Sequence, residues 1–322
     1  MDRRQTLKSI AGTAALAAMP GIARAQTLIP MKVGTLKQAS LTDAWVAQQA
    51  GIFEKNGLKV ELIEFRNGNE AISAQRGKFV DIVLAIPGSI MVAVERGFDL
   101  VVLAENEKAK AAPPDSGSMQ VLADSPIKSV KDLVGKRVAV GNLNSQMHVA
   151  VNTVLRKNGI DPKQVQFSEV PSSSHFDVLK GKQIDCAAVL DPWTTQMRGS
   201  GLTRTIGWHY VESVPEQPIG WWIATKPYAD ANKDACTKFS QAIKEAVDYM
   251  RADADRARKN VSAYTGLSLD LMKEMPINNW DSRVNLVKWQ EVIDMMRENG
   301  ALEKPWKAEQ FVSEFIKPYI VG

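Results

Sequence analysis

Along most of the chain, the spacing of apolar residues alternates between that of strands and that of helices. Residues 31–36, 58–65 and 82–85 form short apolar or alternating runs that are typical of strands, and helical spacing ending at a glycine follows each run. The first of these helices is predicted to begin at a capping box formed by Ser40 and Asp43. Strands that alternate with helices across short loops indicate an α/β fold with a parallel-type sheet.

The alternation stops at a stretch rich in proline, serine and glycine, residues 113–118, and then starts again. The second series predicts strands over 136–140, 165–170 and 184–190, a helix over 147–158, and a last strand over 220–225. From residue 233 onward the spacing predicts helices over 235–251, 254–264, 283–299 and 308–316. We therefore expect two α/β lobes, lobe I from residues 26–112 plus 219–322 and lobe II from residues 113–218.

The first 25 residues have the pattern of a secretory signal. Arg3 and Arg4 precede an apolar run of small residues, and Ala23-Arg24-Ala25 offers a cleavage site. The run is too short and too rich in alanine and glycine for a membrane span, which needs roughly 20 apolar residues. The paired arginines resemble a twin-arginine signal, but Thr6 stands where that motif usually has Phe, so the Sec and twin-arginine routes both remain open. We expect a periplasmic protein cleaved after Ala25.

Composition and charge exclude several classes of protein. The chain has 322 residues, of which 45% are hydrophobic and 24% charged, as in a folded globular protein. Its net charge of +4 includes four basic residues and one acidic residue of segment 1–25, and the remainder is close to neutral at +1. So small a charge does not favour nucleic acid as a partner. A preference for anions would have to come from local groups.

The residues that usually carry redox, metal or nucleophilic chemistry are few and scattered. Cys186 and Cys236 allow a disulfide in an oxidising compartment or two buried free thiols, and the sequence leaves both open. His148, His175 and His209 have no metal-ligand spacing. Dinucleotide-binding, phosphate-loop and zinc-protease motifs are absent from the sequence. We therefore expect no cofactor, no metal and no enzymatic activity.

A series of short motifs, in order and spacing, resembles the periplasmic substrate-binding proteins of ABC importers for sulfonates, taurine and nitrate. The resemblance covers essentially the whole chain after residue 25. It is carried by Val33-Gly34, residues 50–60 (AGIFEKNGLKV), Glu64-Phe65-x-x-Gly68, Gly77-x-x-x-Asp81, residues 133–136 (LVGK), Gly181-x-x-x-Asp185, Asp191-Pro192, residues 264–267 (YTGL) and residues 299–302 (NGAL).

This resemblance implies a two-lobed Venus-flytrap fold of type II, with hinge crossings and a helical C-terminal segment, that closes on a small ligand. It also implies a monomer that captures a small organic anion, such as a sulfonate, a taurine-like compound or a carboxylate. The implied partner is an ABC permease with its ATPase. Fungal thiamine-pyrimidine synthases share the fold, so an enzyme of that type and a pyrimidine or nitrate receptor remain alternatives. Those synthases need a cysteine-rich iron segment, whereas this chain has two isolated cysteines.

Candidate ligand-binding residues follow the predicted strands. Ligands of open α/β sheets bind at the carboxyl ends of the strands, where loops open helices and present free backbone N–H groups to anions. Serine, asparagine and glycine at these places serve equally well as helix caps and turns. The candidates are Gln38, Ser40, Asn67, Gly68, Asn69, Pro87, Gly88, Ser89, Asn142, Asn144, Ser145, Ser172 and Ser173.

Four larger side chains complete the predicted site. Arg66 stands at a strand end and could form a bidentate pair with a carboxylate or sulfonate, or simply be solvated. Trp193 and Trp221 stand where lobe II ends and the chain crosses back, and each could stack on an organic ligand or pack in the core. Which of Trp193, Trp221 and Trp222 faces the cleft stays open. Asp191 could cap the helix that follows it, or bind an amine if the ligand is zwitterionic.

Overall fold

A computed structural model of the protein describes residues 27–66 and 68–321, and the predicted signal segment lies outside them. Within these residues the structure has eleven strands. They are β1 (Ile29–Leu36), β2 (Leu58–Phe65), β3 (Ile82–Ala85), β4 (Leu100–Lys108), β5 (Gly117–Leu122), β6 (Arg137–Val140), β7 (Gln166–Glu169), β8 (Cys186–Leu190), β9 (Thr203–Gly207), β10 (Pro218–Thr225) and β11 (Asn279–Trp280).

The described residues also form thirteen α-helices. They are α1 (Thr42–Gln49), α2 (Ile52–Lys55), α3 (Gly68–Arg76), α4 (Pro87–Glu95), α5 (Gln146–Lys157), α6 (His175–Lys180), α7 (Trp193–Gly199), α8 (His209–Ser213), α9 (Lys226–Ala231), α10 (Lys233–Arg251), α11 (Ala254–Thr265), α12 (Leu269–Glu274) and α13 (Leu286–Glu298). None of the described helices is long and apolar enough to cross a membrane.

The strands form two sheets. The six-stranded sheet has the order β11-β4-β10-β3-β1-β2, and the five-stranded sheet has the order β7-β6-β8-β5-β9. We call the part of the protein built on the first sheet lobe I and the part built on the second lobe II. Two α/β lobes joined by crossing segments, with helices after the last crossing, match the predicted fold class.

Both sheets are mixed, although the alternation of strands and helices predicts parallel ones. In lobe I, β1 pairs in parallel with β2 and β3, whereas β10 runs antiparallel to both β3 and β4. In lobe II, β6 pairs in parallel with β7 and β8, whereas β5 runs antiparallel to β8 and β9. The antiparallel strands β5 and β10 follow the two crossings; no helix separates β4 from β5, and only the short α8 separates β9 from β10.

Two local predictions are wrong. The predicted capping box is absent, because residues 39–41 form a 3-10 turn and neither side chain caps α1. Asp43 instead lies inside the protein, where its Oδ2 accepts a 2.7 Å hydrogen bond from Trp222 Nε1. The helix predicted over 308–316 is only a 3-10 helix, Ala308–Phe311.

The two lobes are packed together around α13. Its Trp289 is fully buried against Trp221 of β10, with ring centroids 4.1 Å apart. On the next turns of the helix, Met296 lies against Gly88 at the start of α4, and Asn299, just past its end, donates to Thr153 of α5 at 3.2 Å. One segment near the C-terminus therefore contacts both lobes.

Candidate functional site

The junction of the lobes brings together the carboxyl ends of strands from both sheets. Gly88 follows β3 in lobe I, and its backbone N–H donates a 2.8 Å hydrogen bond to the side-chain oxygen of Gln146, which opens α5 in lobe II. Gln146 Nε2 in turn donates to Gln217 Oε1 and to the carbonyl of Pro218, both at 2.8 Å, on the returning crossing. Gln146 therefore ties lobe I, lobe II and the crossing to one another at a buried point.

The lobe I candidates lie around this junction and differ in how far they are exposed to solvent. Ser40 is buried and its hydroxyl has no partner, while its carbonyl accepts from Asn106 Nδ2 at 3.2 Å. Gln38 and Ser89 are half-buried, and Pro87 is buried beside Gly88. Gly68 opens α3 and packs close to Ala85 of β3. Asn67 lies outside the described residues, and the structure describes nothing of the Asn69 side chain.

Arg66 lies on the surface. Its side chain is 89% exposed and pairs with Glu70, one turn along the chain, at 3.2 Å. An exposed pair of this kind contributes little to stability and leaves the guanidinium hydrated. This contact agrees with the alternative that Arg66 is simply solvated in this conformation.

The lobe II candidates are mostly used as caps and turns. Ser145 Oγ accepts from His148 N at 3.3 Å and donates to the Asn142 carbonyl at 2.7 Å, so it caps α5. Asn142 Nδ2 donates to Glu169 Oε1 at 2.7 Å. Asn144 is exposed with a φ of +58°, in the left-handed region that asparagine tolerates. Ser172 is half-buried in a short 3-10 turn and Ser173 is exposed.

The predicted aromatic residues differ in their surroundings. Trp221 is fully buried between Trp289 and Phe311, so in this conformation it belongs to the core. Trp222 is also fully buried, on the opposite face of β10, with its indole N–H bonded to Asp43. Trp193 is half-buried at the start of α7 and packs on a small apolar cluster of lobe II.

Asp191 is buried at the end of β8 and acts as a cap. Its Oδ1 accepts hydrogen bonds from Thr195 N at 2.9 Å and from Thr195 Oγ1 at 2.7 Å, in the first turn of α7. Its Oδ2 is buried without a partner. The cap function expected for this residue is therefore present, and half of the carboxylate remains unused.

Two further buried carboxylates, which the sequence analysis did not single out, share this arrangement. Glu107 lies in β4, and its Oε1 accepts from Asn278 Nδ2 at 2.8 Å. Asp115 lies in the crossing before β5, and its Oδ1 accepts from the backbone N–H of Lys110 at 3.1 Å. The other oxygen of each is buried without a partner. The backbone also brings Asp191 close to Asp115. The N–H of Asp191 donates a 2.9 Å hydrogen bond to the carbonyl of Ser116, the residue that follows Asp115.

Burial controls the protonation of these three carboxyl groups. Loss of water raises the pKa of Glu107 to about 8, and the neighbouring charges of Asp115 and Asp191 raise it as well. Burial also raises the pKa of Asp191 to about 7, with a contribution from Asp115, and raises the pKa of Asp115 itself. Burial and the neighbouring charges therefore favour the neutral form of Glu107 at pH 7 and move the titrations of Asp191 and Asp115 to higher pH.

A second pair of buried carboxylates, Asp43 and Glu105, lies in lobe I, and one oxygen of each accepts from a tryptophan. Glu105 Oε2 accepts a 2.6 Å hydrogen bond from Trp289 Nε1, and Lys108 Nζ lies 3.8 Å from Glu105 Oε1. Burial nevertheless raises the pKa of Glu105 to about 8, and that of Asp43 to about 6. Glu105 thus joins β4 to the C-terminal helix α13, and Asp43 joins α1 to β10.

We expect the unliganded protein to lose stability between pH 7 and pH 8.5. A buried acid whose pKa is raised stabilises the folded state while it is protonated, and this contribution is lost as the pH rises through the folded-state pKa. Urea unfolding at pH 7.0, 7.5, 8.0 and 8.5 measures the slope. Glu107→Gln, which cannot ionise, should show a shallower fall than the wild type, by at most about 1.4 kcal/mol per pH unit. Equal slopes would contradict a raised pKa of Glu107.

The structure gives little support to metal or thiol chemistry. Cys186 of β8 and Cys236 of α10 are both buried and free, and they lie in different lobes. Burial raises the pKa values of both thiols, which disfavours the reactive thiolate. Within residues 27–66 and 68–321, no three His, Cys, Asp or Glu side chains are placed to hold a metal ion.

Comparison with known proteins identifies first the fold of this chain and then its family. The periplasmic aliphatic sulphonate binding protein SsuA from Escherichia coli has a similar structure, with a TM-score of 0.73 at 20% sequence identity over 89% of this chain and 98% of that chain. The protein thus has the two-lobed periplasmic-binding-protein fold. The family model described as "NMT1/THI5 like" matches residues 38–257. The chain belongs to this family.

Two relatives in sequence span nearly the whole chain. A "Putative binding protein" of Brucella abortus (strain 2308) is 25% identical over 310 residues, which cover 87% of this chain and 90% of that protein. A "Putative thiamine biosynthesis protein" of Haemophilus influenzae is 24% identical over 287 residues, which cover 84% and 86% of the two chains. The length of the match indicates that the relatives share both lobes.

Proposed function

We propose that the protein is an exported solute receptor that captures a small organic anion between its lobes and delivers it to an ABC permease in the inner membrane. The ligand class is a sulfonate, a taurine-like compound or a carboxylate. The permease would recognise the closed form, in which the lobes are held together around the ligand. The N-terminal 25 residues would direct export and be removed after Ala25.

The observation that carries this proposal is the junction of the two lobes. Strand ends of both sheets meet there, and the meeting point is lined with buried polar atoms that have no partner within the protein, Ser40 Oγ and Ser116 Oγ among them. Buried polar groups are almost always hydrogen-bonded, so a run of unpartnered ones between two lobes is typical of a ligand site. Family membership and the sulfonate-binding structural neighbour support the same class of protein.

A receptor of this kind binds without turnover. Burial raises the pKa values of both thiols and lowers the pKa of His209 to about 3, so these three groups are neutral at pH 7 and none is an activated nucleophile or base. The resemblance to thiamine-pyrimidine synthases makes a pyrimidine ligand the second candidate, and the Haemophilus relative, a putative thiamine biosynthesis protein, supports it. Pyrimidines therefore belong in any ligand screen.

We expect a thermal-shift screen to find at least one stabilising ligand among sulfonates, carboxylates, nitrate and pyrimidines. A ligand that binds only the folded state raises stability by RT ln(1 + [L]/Kd), about 2.7 kcal/mol at a concentration one hundred times Kd. Native mass spectrometry of the protein purified from its own cells identifies the bound molecule directly. A library of metabolites that gives no shift, together with an empty native spectrum, would contradict the proposal.

A further inference from the structure

The loop that leads from β6 into α5, residues 141–145, is fastened to the helix by His148. The backbone N–H of Asn144 donates a 3.0 Å hydrogen bond to Nδ1 of the His148 ring. The backbone N–H of His148 donates in turn to Ser145 Oγ at 3.3 Å. Asn144 has a φ of +58°, in a region that is sparsely populated for residues other than glycine, so the loop needs contacts of this kind to keep its shape.

These hydrogen bonds fix the protonation state of His148. A backbone N–H can only donate, so Nδ1 accepts, and a neutral ring whose Nδ1 carries no hydrogen is protonated at Nε2. Nε2 lies 3.4 Å from the side-chain amide of Asn152, one turn along α5, and the amide oxygen of Asn152 is buried without a partner. With this amide turned by 180°, its oxygen accepts from the Nε2–H. His148 is thus an acceptor toward the loop and a donor toward its own helix.

The surroundings of the ring favour its neutral form. His148 is half-buried, and its ring packs edge-to-face against Phe167 of β7, with ring centroids 4.4 Å apart. Burial lowers the pKa of His148 below its ordinary value, because an apolar neighbour solvates the charged ring less well than water does. At neutral pH the ring therefore keeps the free Nδ1 that the loop requires.

The charged residues of the elements around His148 have other partners. β7 carries one charged residue, Glu169, whose carboxylate accepts from Asn142 Nδ2 at 2.7 Å, and the loop itself carries none. The charged residues of α5, Arg156 and Lys157, lie at the other end of the helix, where they bond to groups at the ends of α13 and α8. Burial is therefore the influence that sets the pKa of His148.

The loop that His148 holds leads directly into the junction of the lobes. Gln146 is the first residue after the loop, and its side chain joins Gly88 of lobe I to Gln217 of the returning crossing. The position of Gln146 depends on the path of the loop and on the cap that Ser145 provides to α5. A change in the loop therefore reaches the contact between the lobes through a single residue.

We propose that the neutral ring of His148 positions the loop 141–145 for closure of the lobes, and that a proton bound to Nδ1 releases the loop and weakens ligand binding. A protonated imidazole has two donors and no acceptor, so it cannot hold the N–H of Asn144. The closed state needs the neutral ring, so the affinity is complete above the pKa of His148 in the open state and falls as the pH drops below it. This inference rests on the proposed function and adds an acid-sensitive control to it.

Nitrogen-15 NMR of the histidine rings tests the protonation state in the wild-type protein without a ligand. At pH 7.5 the His148 ring should be in the Nε2–H form. As the pH is lowered to 5.0, the amide signal of Asn144 should move together with the titration of this ring. A ring protonated at Nδ1 at pH 7.5, or an Asn144 amide that does not follow the titration, overturns the inference even if a variant fails to fold.

Calorimetry at pH 7.5 and pH 5.0 tests the effect on binding. The probe is ethanesulfonate, or the strongest ligand of the thermal-shift screen if ethanesulfonate does not bind. His148→Ala should weaken binding at least fivefold at pH 7.5, and His148→Asn should restore most of the loss, because the asparagine oxygen accepts at the place of Nδ1. Between the two pH values the wild type should lose at least threefold more affinity than His148→Asn, which cannot take up the proton. The comparison cancels the titration of the probe and of the buried carboxyl groups.

His175→Gln is the matched control. His175 is a buried histidine that begins α6 of lobe II, but its Nε2 bonds to the carbonyl of Val170 at 2.7 Å. That bond needs a donor, which a protonated ring also provides, so this variant should keep the wild-type dependence on pH. An equal loss of affinity in the wild type and in His148→Asn overturns the inference and leaves the receptor function standing. No binding by any probe or by a metabolite library overturns both.

Discussion

Trp289→Ala is expected to lower the free energy of unfolding by about 4 kcal/mol, since replacing a buried tryptophan by alanine removes a large apolar surface and leaves a cavity. Trp289 is fully buried, and its ring lies 4.1 Å from the ring of Trp221 between centroids. Its indole N–H also donates to the buried carboxylate of Glu105 at 2.6 Å. The substitution therefore removes packing and a hydrogen bond at the contact of α13 with the crossing strands.

Urea unfolding followed by circular dichroism measures this loss. Trp289→Phe keeps most of the ring and removes only the donor, so it should cost less, about 1–3 kcal/mol for leaving a buried acceptor without its partner. Trp306→Ala is the control, because Trp306 is half-buried in the same cluster and should cost less than Trp289→Ala. A loss below 1 kcal/mol for Trp289→Ala would show that Trp289 does not anchor α13 to β4 and β10 as described.

Gly88→Val is expected to weaken ligand binding at least tenfold while leaving the fold intact. A Cβ atom at Gly88 would lie 2.8 Å from Gln146 Cβ and 3.0 Å from Met296 Cε. The first of these atoms is attached to the backbone of α5 and cannot turn aside, so α4 and α5 must separate. Because the clash arises where the lobes meet, it penalises the closed state, and the affinity of the ligand falls with the population of that state.

Two measurements test the Gly88 prediction. Calorimetry gives Kd for the tightest-binding ligand of the thermal-shift screen, and small-angle scattering with saturating ligand should give a larger radius of gyration than that of the wild type. Gly88→Ala should give an intermediate effect. Gly77→Ala is the control, because a Cβ there meets only ordinary contacts at 3.5 Å and beyond. Unchanged affinity and radius in Gly88→Val would contradict a close approach of the lobes at this residue.

The sequence predicts those strands and helices whose apolar residues are the ones that are buried. β2, β3 and α10 are near their predicted bounds because their buried positions recur at regular spacing. β5 is missed because Ser118 and Gln120 are polar yet fully buried, bonded to Thr194 and Thr205 of neighbouring elements. Those partners are distant along the chain, so local spacing cannot show that the segment is interior.

The candidate site residues stay a prediction. Of the loops expected at the strand ends, the structure brings the one that begins with Gly88 and the one that ends at Gln146 together at the junction. Glu107 was not singled out, although an apolar strand that runs into acidic residues, LVVLAENEK, carries a signal of a buried charge. Asp115 lies in a stretch whose proline, serine and glycine content is typical of an exposed linker. Its burial depends on the crossing strands, which no local pattern describes.

The strand order of lobe I determines which of the two lobes can fold first during translation. Among the described strands β4 pairs with β10 and β11 alone, so none of these neighbours exists until residues 218–225 have been synthesised. The sheet of lobe II needs only residues 117–207, in one continuous stretch. The half that begins later in the chain can therefore assemble first during translation. A nascent chain that stops before β10 leaves the apolar strand β4 available to chaperones and to aggregation.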